Sequence, residues 1–357
     1  MKILVIKPSS LGDVIHALPF LKVVKDSLPD AKIDWVISKN LKGLIEDSPL
    51  INEVIIFDKD SWKNIRNLKG TINEISLFKK TLKKKRYDMV VDLQGLLRSG
   101  IITHYTPSVT KIGFADAREG SRLFYNRKIS VNGTVHAVDK CLEIAKAIGA
   151  KINKVEFPLK IDEISKDKIK KLIGDVSEYI VVVPSARWAT KRWPAEYFAQ
   201  LITKLTIPCV ITGGKGDREI AKEIIERTGT ANTSSLLRKG VLPYAPTDSK
   251  LKTQILNVAG KTNLKELVAL IAGAKAVVSN DSGPMHIAAA LDKPVVALFG
   301  PTDPLKTGPY GWQKNKNLKV LTSGVSCSPC FRKKCKKFTC MHMINVEKVF
   351  NALKEYL

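Results

Sequence analysis

The sequence has no run close to the roughly 18 consecutive apolar residues that a membrane-spanning helix needs. Its N-terminus is predicted to be a strand, without the apolar region and small-residue cleavage site of a secretory signal peptide. It also lacks low-complexity tracts and internal repeats, while its 44% hydrophobic content is ordinary for a protein with a full core. These observations predict a globular cytoplasmic protein whose 357 residues form about two domains.

Acidic residues are scarce: 34 Asp and Glu oppose 59 Lys and Arg, which gives a net charge of +25. Such an excess is typical either of a lysine-rich solvated surface or of a protein with an anionic partner, such as nucleic acid, lipid headgroups or phosphorylated substrates. The sequence has no RNA-binding aromatic signature, no helix-turn-helix signal and no basic tail. We therefore expect no nucleic-acid partner.

Strands and helices alternate in both halves of the chain. In the first half, strands are predicted over 2–6, 32–38, 53–58, 87–95 and 111–114, and helices over 14–28, 41–47, 70–86 and 135–149. In the second half, strands are predicted over 179–186, 208–214, 276–281 and 294–300, and helices over 194–205, 217–228, 263–273 and 283–291, with 229–250 irregular. This alternation predicts an α/β protein with doubly wound parallel sheets.

The two halves meet at 155–165 (VEFPLKIDEIS), which is predicted to be a linker with Pro158 in extended chain. The predicted domains are therefore 1–158 and 159–357. Ligands of doubly wound sheets bind at the carboxyl ends of the strands, so the polar residues at those ends are the candidate site.

The first strand is followed by SSLGD (9–13), where Asp13 directly precedes the predicted helix. Asp is a favoured N-terminal helix cap, which is one interpretation of this residue. The other is catalytic, because a carboxylate at a strand end can take a proton from a substrate hydroxyl. The local sequence leaves both open.

The second half holds three further polar turns. In PSARWATKRWP (184–194), Lys191 and Arg192 precede a predicted helix start, which suits a phosphate site as well as a solvated loop. In VITGGKGDRE (210–219), Asp217 is a candidate helix cap or ribose ligand. In SNDSG (279–283), Asp281 suits sugar hydroxyls, and the backbone that opens the next helix suits an anion.

Taken together, these segments resemble glycosyltransferase family 9, the bacterial lipopolysaccharide heptosyltransferases, and within it the enzymes that transfer the first heptose. The resemblance covers nearly the whole chain and rests on SSLGDVIHALP (9–19), VVDLQGLLRSG (90–100), ADAREGSRLFYNRK (115–128), Lys-x-Trp (191–193), and NDSGPMHIAAALD with FGPTDP (280–304).

The resemblance implies a GT-B fold, in which two Rossmann-like domains face each other across a cleft. It implies an N-terminal acceptor-binding domain and a C-terminal domain that binds the nucleotide sugar. The donor would be ADP-L-glycero-D-manno-heptose and the acceptor Kdo-lipid A, with transfer by inversion at the cytosolic face of the inner membrane. It implies no required cofactor.

The resemblance also assigns roles by position. Asp13 is similar to the family's general base, and Lys191 to the lysine that pairs with the donor diphosphate. The expected donor-binding residues are Asp281, Ser282, Gly283 and His286, with Asp217 near the ribose and with Ser185, Arg187 or Thr190 in place of a threonine pair that this loop lacks. The expected acceptor-binding residues are Ser10, Gly12 and Arg118, with Trp62 and Lys63 as part of a basic loop. His286 has an alternative interpretation as a core histidine.

Four of the six cysteines lie in CSPCFRKKCKKFTC (327–340). Clustered thiolates in a cytosolic protein suit metal better than disulfides, so a structural zinc site formed by Cys327, Cys330, Cys335 and Cys340 is one hypothesis. Reduced thiols are the other, because most structural zinc sites separate two Cys pairs by a longer loop. Neither arrangement is expected to affect catalysis.

Three alternatives to the main hypothesis remain. The cysteine cluster is more typical of heptosyltransferases that add the second heptose. A GT-B sugar-nucleotide epimerase would need acid and base groups besides Asp13, and the sequence shows no clear second carboxylate. A basic nucleic-acid-binding protein is the third. The Lys-rich stretch KKTLKKKR (79–86) is predicted to be a solvated helix face, or else a contact with the anionic inner-membrane surface.

Overall fold

The computed structural model describes residues 1–58, 68–229 and 253–357. The chain divides into two compact units, Met1–Lys160 and Ile161–Leu357, each built around its own six-stranded sheet. No helix in these ranges is both long and apolar enough to cross a bilayer.

The N-terminal unit contains a fully parallel sheet with the strand order β3-β2-β1-β4-β5-β6. Its strands are β1 Lys2–Ile6, β2 Lys32–Ser38, β3 Glu53–Phe57, β4 Tyr87–Asp92, β5 Ser108–Phe114 and β6 Arg127–Ile129. Its helices are α1 Leu11–Ser27, α2 Leu68–Lys84, α3 Leu97–Tyr105 and α4 Ala137–Ala147, with 3₁₀ turns at Lys39–Leu44 and Ser121–Phe124.

The C-terminal unit repeats this plan with the order β12-β11-β10-β7-β8-β9, again fully parallel. Its strands are β7 Ile180–Val183, β8 Cys209–Ile211, β9 Ile255–Asn257, β10 Ala276–Asn280, β11 Val295–Phe299 and β12 Leu318–Thr322. Its helices are α5 Glu163–Ile173, α6 Ala195–Lys204, α7 Arg218–Arg227, α8 Leu264–Gly273, α9 Gly283–Ala290, α10 Pro304–Thr307, α11 Thr339–His342 and α12 Val346–Lys354, with 3₁₀ turns at Ala189–Lys191 and Lys215–Asp217.

Central strands of both sheets are continuous hydrophobic runs. Every residue of Ile180–Val183 and of Val295–Phe299 is buried, as expected for parallel strands covered on both faces. Within each unit the strand order runs outward from the first strand in both directions, which is the doubly wound order. The predicted α/β doubly wound architecture is confirmed.

Some predicted boundaries were wrong. Helix α1 begins at Leu11 instead of Val14, because Ser10 takes the N-cap position and places Gly12 and Asp13 inside the first turn. The predicted linker 155–165 is shorter, since α5 begins at Glu163. The predicted helix over 41–47 is a 3₁₀ turn at Lys39–Leu44.

Several elements were not predicted from the sequence. They are the strands β6, β9 and β12 and the helices α3, α5, α10, α11 and α12. The three strands are sheet neighbours of only one other strand, and β6 and β9 have three residues each. Edge strands this short carry too few residues for a period-two pattern.

Candidate functional site

In each unit the strand order reverses beside the first strand, between β1 and β4 in one and between β7 and β10 in the other. Parallel strands leave a crevice at such a switch point, and the loops that follow their carboxyl ends line it. Three of the polar turns singled out from the sequence follow β1, β7 and β10, and the fourth, which carries Asp217, follows β8. Each unit therefore presents its own group of polar side chains.

The C-terminal unit brings Lys191 and Asp281 together. The Lys191 Nζ lies 2.6 Å from the Asp281 Oδ2, and the Thr302 hydroxyl donates a 2.6 Å hydrogen bond to the same oxygen. Asp281 is only 5% exposed, whereas Lys191 is 16% exposed and thus within reach of a ligand. A cation and a carboxylate in this position can exchange their mutual contact for a bound anion and for hydroxyl groups.

The loop that carries Lys191 is fixed at both ends by Asn280, the last residue of β10. The Asn280 side chain donates to the carbonyl of Pro184 at 2.8 Å and accepts from the backbone N–H of Trp193 at 3.0 Å. Lys191 also lies over the ring of Trp188, with its Nζ 4.8 Å from the centroid. These contacts hold the cation in place before any ligand arrives.

Helix α9 begins immediately after Asp281. Ser282 is its N-cap residue, and the Ser279 and Ser282 hydroxyl oxygens are 3.2 Å apart. The first backbone N–H groups of a helix lack intrahelical partners and carry partial positive charge, which suits an anion such as a diphosphate. His286, one turn further along, is buried at 6% exposure. Asp281, Ser282, Gly283 and His286 thus belong to the end of β10 and the first turn of α9, and Asp281 joins them to Lys191.

Two side chains that were predicted to contact the donor already form hydrogen bonds to nearby backbone groups. The Thr190 hydroxyl donates to the Arg332 carbonyl at 2.9 Å, so it anchors its loop. The Asp217 Oδ2 accepts from the Gly214 N–H at 2.7 Å within the 3₁₀ turn before α7; Asp217 is the N-cap residue of α7, but its side chain makes no capping hydrogen bond to that helix. Ser185 is half-buried and Arg187 is exposed in the same loop as Lys191. The roles of these four residues toward a donor stay predictions.

In the N-terminal unit, Asp13 is the third residue of α1. Its Oδ2 accepts hydrogen bonds from the Ser10 N–H at 2.9 Å and from the Ser10 hydroxyl at 2.7 Å. Asp13 is therefore not the N-cap residue, although it closes a capping arrangement with Ser10. These two bonds use part of the acceptor capacity of a carboxylate, which offers about four acceptor sites. Capping and proton abstraction are thus compatible.

The Asp13 turn is tied to the end of β4. The buried Lys7 Nζ donates to the Leu93 carbonyl at 2.7 Å, and the Ser9 N–H donates to the Gln94 Oε1 at 3.3 Å. Gln94 is itself oriented by Asp92, which accepts its backbone N–H at 2.8 Å. The polar network therefore fixes the strand ends on both sides of the switch point.

Asp92 is a fully buried carboxyl group that the sequence did not indicate as part of the site. Its Oδ1 also accepts from the Gly95 N–H at 3.0 Å, and its Oδ2 accepts from the Tyr125 hydroxyl at 2.6 Å. Burial raises the pKa of Asp92, and these hydrogen bonds oppose that rise. Burial, together with the Asp92 charge, also raises the pKa of Tyr125.

The backbone of Arg118 is hydrogen-bonded to the loop that Asp92 organises. Its N–H donates to the Gly95 carbonyl at 2.9 Å, and its side chain is exposed. Since Tyr125 comes from the same segment, 115–128 is attached at two points to the end of β4. The turn that carries Asp13, Ser10 and Gly12 is attached to the same stretch, through Leu93 and Gln94. Trp62 and Lys63 lie outside the described residues.

The four clustered cysteines are the candidate metal ligands predicted from the sequence. Within the described ranges, no group of three or more His, Cys, Asp or Glu side chains is arranged to hold a metal ion. Burial raises the pKa of Cys340, and the nearby thiols of Cys330, Cys327 and Cys335 add to that rise, yet the four thiols do not meet the geometry of a metal site. The arrangement therefore gives no support to the zinc hypothesis. A backbone N–H from Phe338 lowers the pKa of the Cys335 thiol.

Two doubly wound units in one chain are the architecture of GT-B glycosyltransferases. The structure of the Escherichia coli heptosyltransferase WaaC with ADP is similar over the full length of both chains, with a TM-score of 0.75 and 28% sequence identity. The predicted GT-B fold is confirmed by this similarity.

Sequence comparisons agree with the structural similarity. Residues 75–242 and 245–341 match the sequence model of glycosyltransferase family 9 (heptosyltransferase). Lipopolysaccharide heptosyltransferase 1 of Pseudomonas aeruginosa is 32% identical over 350 residues, which cover 94% of this chain and 87% of that protein. Lipopolysaccharide heptosyltransferase 2 of Salmonella typhimurium is 28% identical, covering 90% of this chain and 89% of that protein. The chain belongs to glycosyltransferase family 9 and is a glycosyltransferase.

Proposed function

We propose that the enzyme transfers L-glycero-D-manno-heptose from its ADP derivative to the Kdo sugar of Kdo-lipid A, the first heptose of the lipopolysaccharide inner core. The observation that carries this proposal is the Lys191–Asp281 ion pair at the start of helix α9, which offers a cation, a carboxylate and helix-opening amides at one strand end. A nucleotide diphosphate sugar needs all three.

The donor would bind with its diphosphate on Lys191 and on the N–H groups that open α9. Lys191 would then exchange part of its 2.6 Å contact with Asp281 for phosphate oxygens. Asp281 and the Thr302 hydroxyl would hold the hydroxyl groups of the heptose. His286 would approach the same sugar from the next turn of the helix.

In the transfer step, Asp13 would remove the proton of the Kdo hydroxyl as that oxygen attacks the anomeric carbon. The new C–O bond forms on the face opposite the departing ADP, so the configuration at the anomeric carbon inverts. The bond between that carbon and the diphosphate oxygen breaks, and the electron pair leaves with ADP. Lys191 stabilises the charge that develops on the leaving diphosphate.

The acceptor would bind to the N-terminal unit. The exposed Arg118 side chain suits the carboxylate of Kdo, and Ser10 and Gly12 belong to the turn that presents Asp13. Kdo-lipid A is an anionic glycolipid of the inner membrane, so we propose that the enzyme works at the cytosolic face of that membrane. Its net charge of +25 supports this location.

Addition of the second heptose is the competing candidate. The similarity to a heptosyltransferase 2 at 28% identity favours it, as does the cluster Cys327–Cys340. The first-heptose proposal is supported by the 32% identity to a heptosyltransferase 1. The 115–128 segment, whose sequence resembles that of first-heptose enzymes, also supports it, because this segment and the Asp13 turn are both attached to the end of β4.

Mass spectrometry of the acceptor distinguishes the two candidates. Purified enzyme is incubated with ADP-heptose and either Kdo-lipid A or the same acceptor already carrying one heptose. We expect Kdo-lipid A to gain the mass of one heptose, and the Asp13→Asn variant to give no gain. A gain with the heptosylated acceptor alone would show the second-heptose activity and overturn the proposed step.

A further inference from the structure

The N-terminal unit contains an apolar pocket between helices α2 and α3 that the transfer reaction does not use. Its volume is about 210 Å³. Phe57, Leu82 and Ile102 form its buried floor, while Ile75, Phe78 and Ile101 form walls that are partly exposed. Ordinary small-molecule sites measure roughly 300–1,000 Å³, so this pocket suits a slender chain better than a nucleotide or a sugar.

The rim of the pocket is cationic. Lys79 and Arg98 belong to the lining, and the Lys79 Nζ lies 4.4 Å from the ring centroid of Tyr105. The Lys83 Nζ, one turn further along α2, lies 5.7 Å from the same centroid. The sequence of α3 contains no acidic residue, and residues 73–84 contain only Glu74. An anionic group is therefore the complementary partner of this rim.

Helix α3 also presents apolar side chains next to the rim. Leu97 and Ile101 are 43% and 38% exposed, and they are four residues apart, so they share one face of the helix. Exposed apolar side chains next to lysines are typical of helices that lie in a membrane interface. The same surface thus combines an apolar pocket, apolar neighbours and positive charge.

We propose that this pocket binds an acyl chain of an anionic membrane phospholipid, with the headgroup phosphate contacted by Lys79, Lys83 and Arg98. The site would dock the N-terminal unit on the bilayer independently of sugar transfer. Lipid binding is measured without donor or acceptor. A protein that does not bind lipid can therefore be distinguished from one that does not transfer heptose.

Vesicle flotation tests the charge and the pocket separately, with vesicles of phosphatidylglycerol and phosphatidylcholine in equal amounts. The Lys79→Gln/Lys83→Gln double variant is expected to bind about tenfold to thirtyfold more weakly at low salt, because each lysine near an anionic surface contributes about 1 kcal/mol. The matched control is Lys314→Gln/Lys316→Gln, which changes two exposed lysines of the other unit.

The Ile101→Gln variant tests the apolar contribution. We expect about threefold to tenfold weaker binding. Ile101 is already partly buried in the free protein, so contact with lipid removes only the remainder of its apolar surface from water. Val109→Gln, at a position 86% exposed in the same unit, is the matched control and should bind as the unchanged protein does. Equal losses for the two lysine pairs, or full binding by Ile101→Gln, would mean that the membrane attracts the positive protein in general, and the proposal would fail.

Photocrosslinking locates the chain directly. Phosphatidylglycerol with a diazirine at the end of one acyl chain is placed in the same vesicles, irradiated with the protein, and the labelled peptides are identified by mass spectrometry. We expect labels within 75–82 and 98–105. Labels confined to other segments would overturn the pocket assignment even if the vesicles bind.

Discussion

The turns after the first strands of the two units use the same kind of residue for different purposes. In the N-terminal unit, Lys7 is buried and donates to the carbonyl of Leu93, beyond the end of β4. In the C-terminal unit, Lys191 is partly exposed and pairs with the carboxylate of Asp281, beyond the end of β10. One lysine thus holds the scaffold together, whereas the other is available to a ligand.

The carboxylates of Asp281 and Asp13 also differ in the partners that they have. Asp281 already has a cation and a hydroxyl as partners, so it is suited to hold an uncharged sugar beside a bound diphosphate. Asp13 accepts two hydrogen bonds from Ser10, which hold its carboxylate in the first turn of α1. In the proposed mechanism, proton abstraction thus belongs to the N-terminal unit and charge stabilisation to the C-terminal unit.

Replacement of the proposed base should have the largest effect. Asp13→Asn keeps the size of the side chain and removes its ability to take a proton, so we expect transfer to fall by about 10²–10⁴-fold while ADP-heptose binding, measured by calorimetry, is unchanged. Asp26→Asn on the same helix is the matched control, because Asp26 only pairs with Lys22 on the surface. Near-normal turnover by Asp13→Asn would reduce Asp13 to a capping residue.

Removal of the donor cation comes next. Lys191→Ala should slow transfer by about 10²–10³-fold and also weaken ADP-heptose binding, since the lysine acts on both the bound and the departing diphosphate. Lys204→Ala serves as control, because Lys204 forms a surface ion pair with Glu347. If kcat and ADP binding both stay unchanged, the diphosphate does not bind at this strand end.

Loss of the Thr302 hydroxyl should have a smaller effect. Thr302→Val removes a hydrogen bond to a charged oxygen, worth about 1.5 kcal/mol, so we expect about tenfold lower kcat/KM with the fold retained. Thr203→Val, where the hydroxyl donates to a backbone carbonyl on the surface of α6, is the control. An equal loss in both variants would indicate a general effect on stability instead of a role at Asp281.

The sequence predicted the parts of the site that have a distinct local pattern. Buried β-branched strands followed by Gly, Ser and Asp indicated the turns at Asp13 and Asp281. It did not predict that Asn280 clamps the Lys191 loop or that Thr302 contacts Asp281, since each contact joins the ends of different strands and depends on how the strands are ordered in the sheet. The start of α1 was also missed: the helical spacing of apolar residues begins at Val14, but the Ser10–Asp13 hydrogen bonds stabilise an earlier start at Leu11.

The last residues of β4 and β10 give the final contrast. Each organises a loop by hydrogen bonds, Asp92 the loop after β4 and Asn280 the loop after β7, but Asp92 can ionise and Asn280 cannot. Because the pKa of Asp92 is raised above its ordinary value of 3.8, the folded state holds a proton that the unfolded state has lost in the pH range between the two values. Asp92 therefore stabilises the fold most at acidic pH, and this contribution falls as the pH rises through the folded-state pKa.

Asp92→Asn should remove this pH dependence from the N-terminal unit. Its side-chain carbonyl can still accept the Gln94 and Gly95 N–H groups, so we expect a cost of only about 1 kcal/mol near neutral pH. Hydrogen exchange of the full-length protein at several pH values, corrected for intrinsic rates, reports each unit separately. In the unchanged protein, the protection of the β4 amides against exchange should fall relative to that of the β10 amides as the pH rises. In Asp92→Asn, the protection of both strands should change with pH in the same way. If the protection of β4 in Asp92→Asn still falls relative to β10 as the pH rises, the pH dependence belongs to another titratable group.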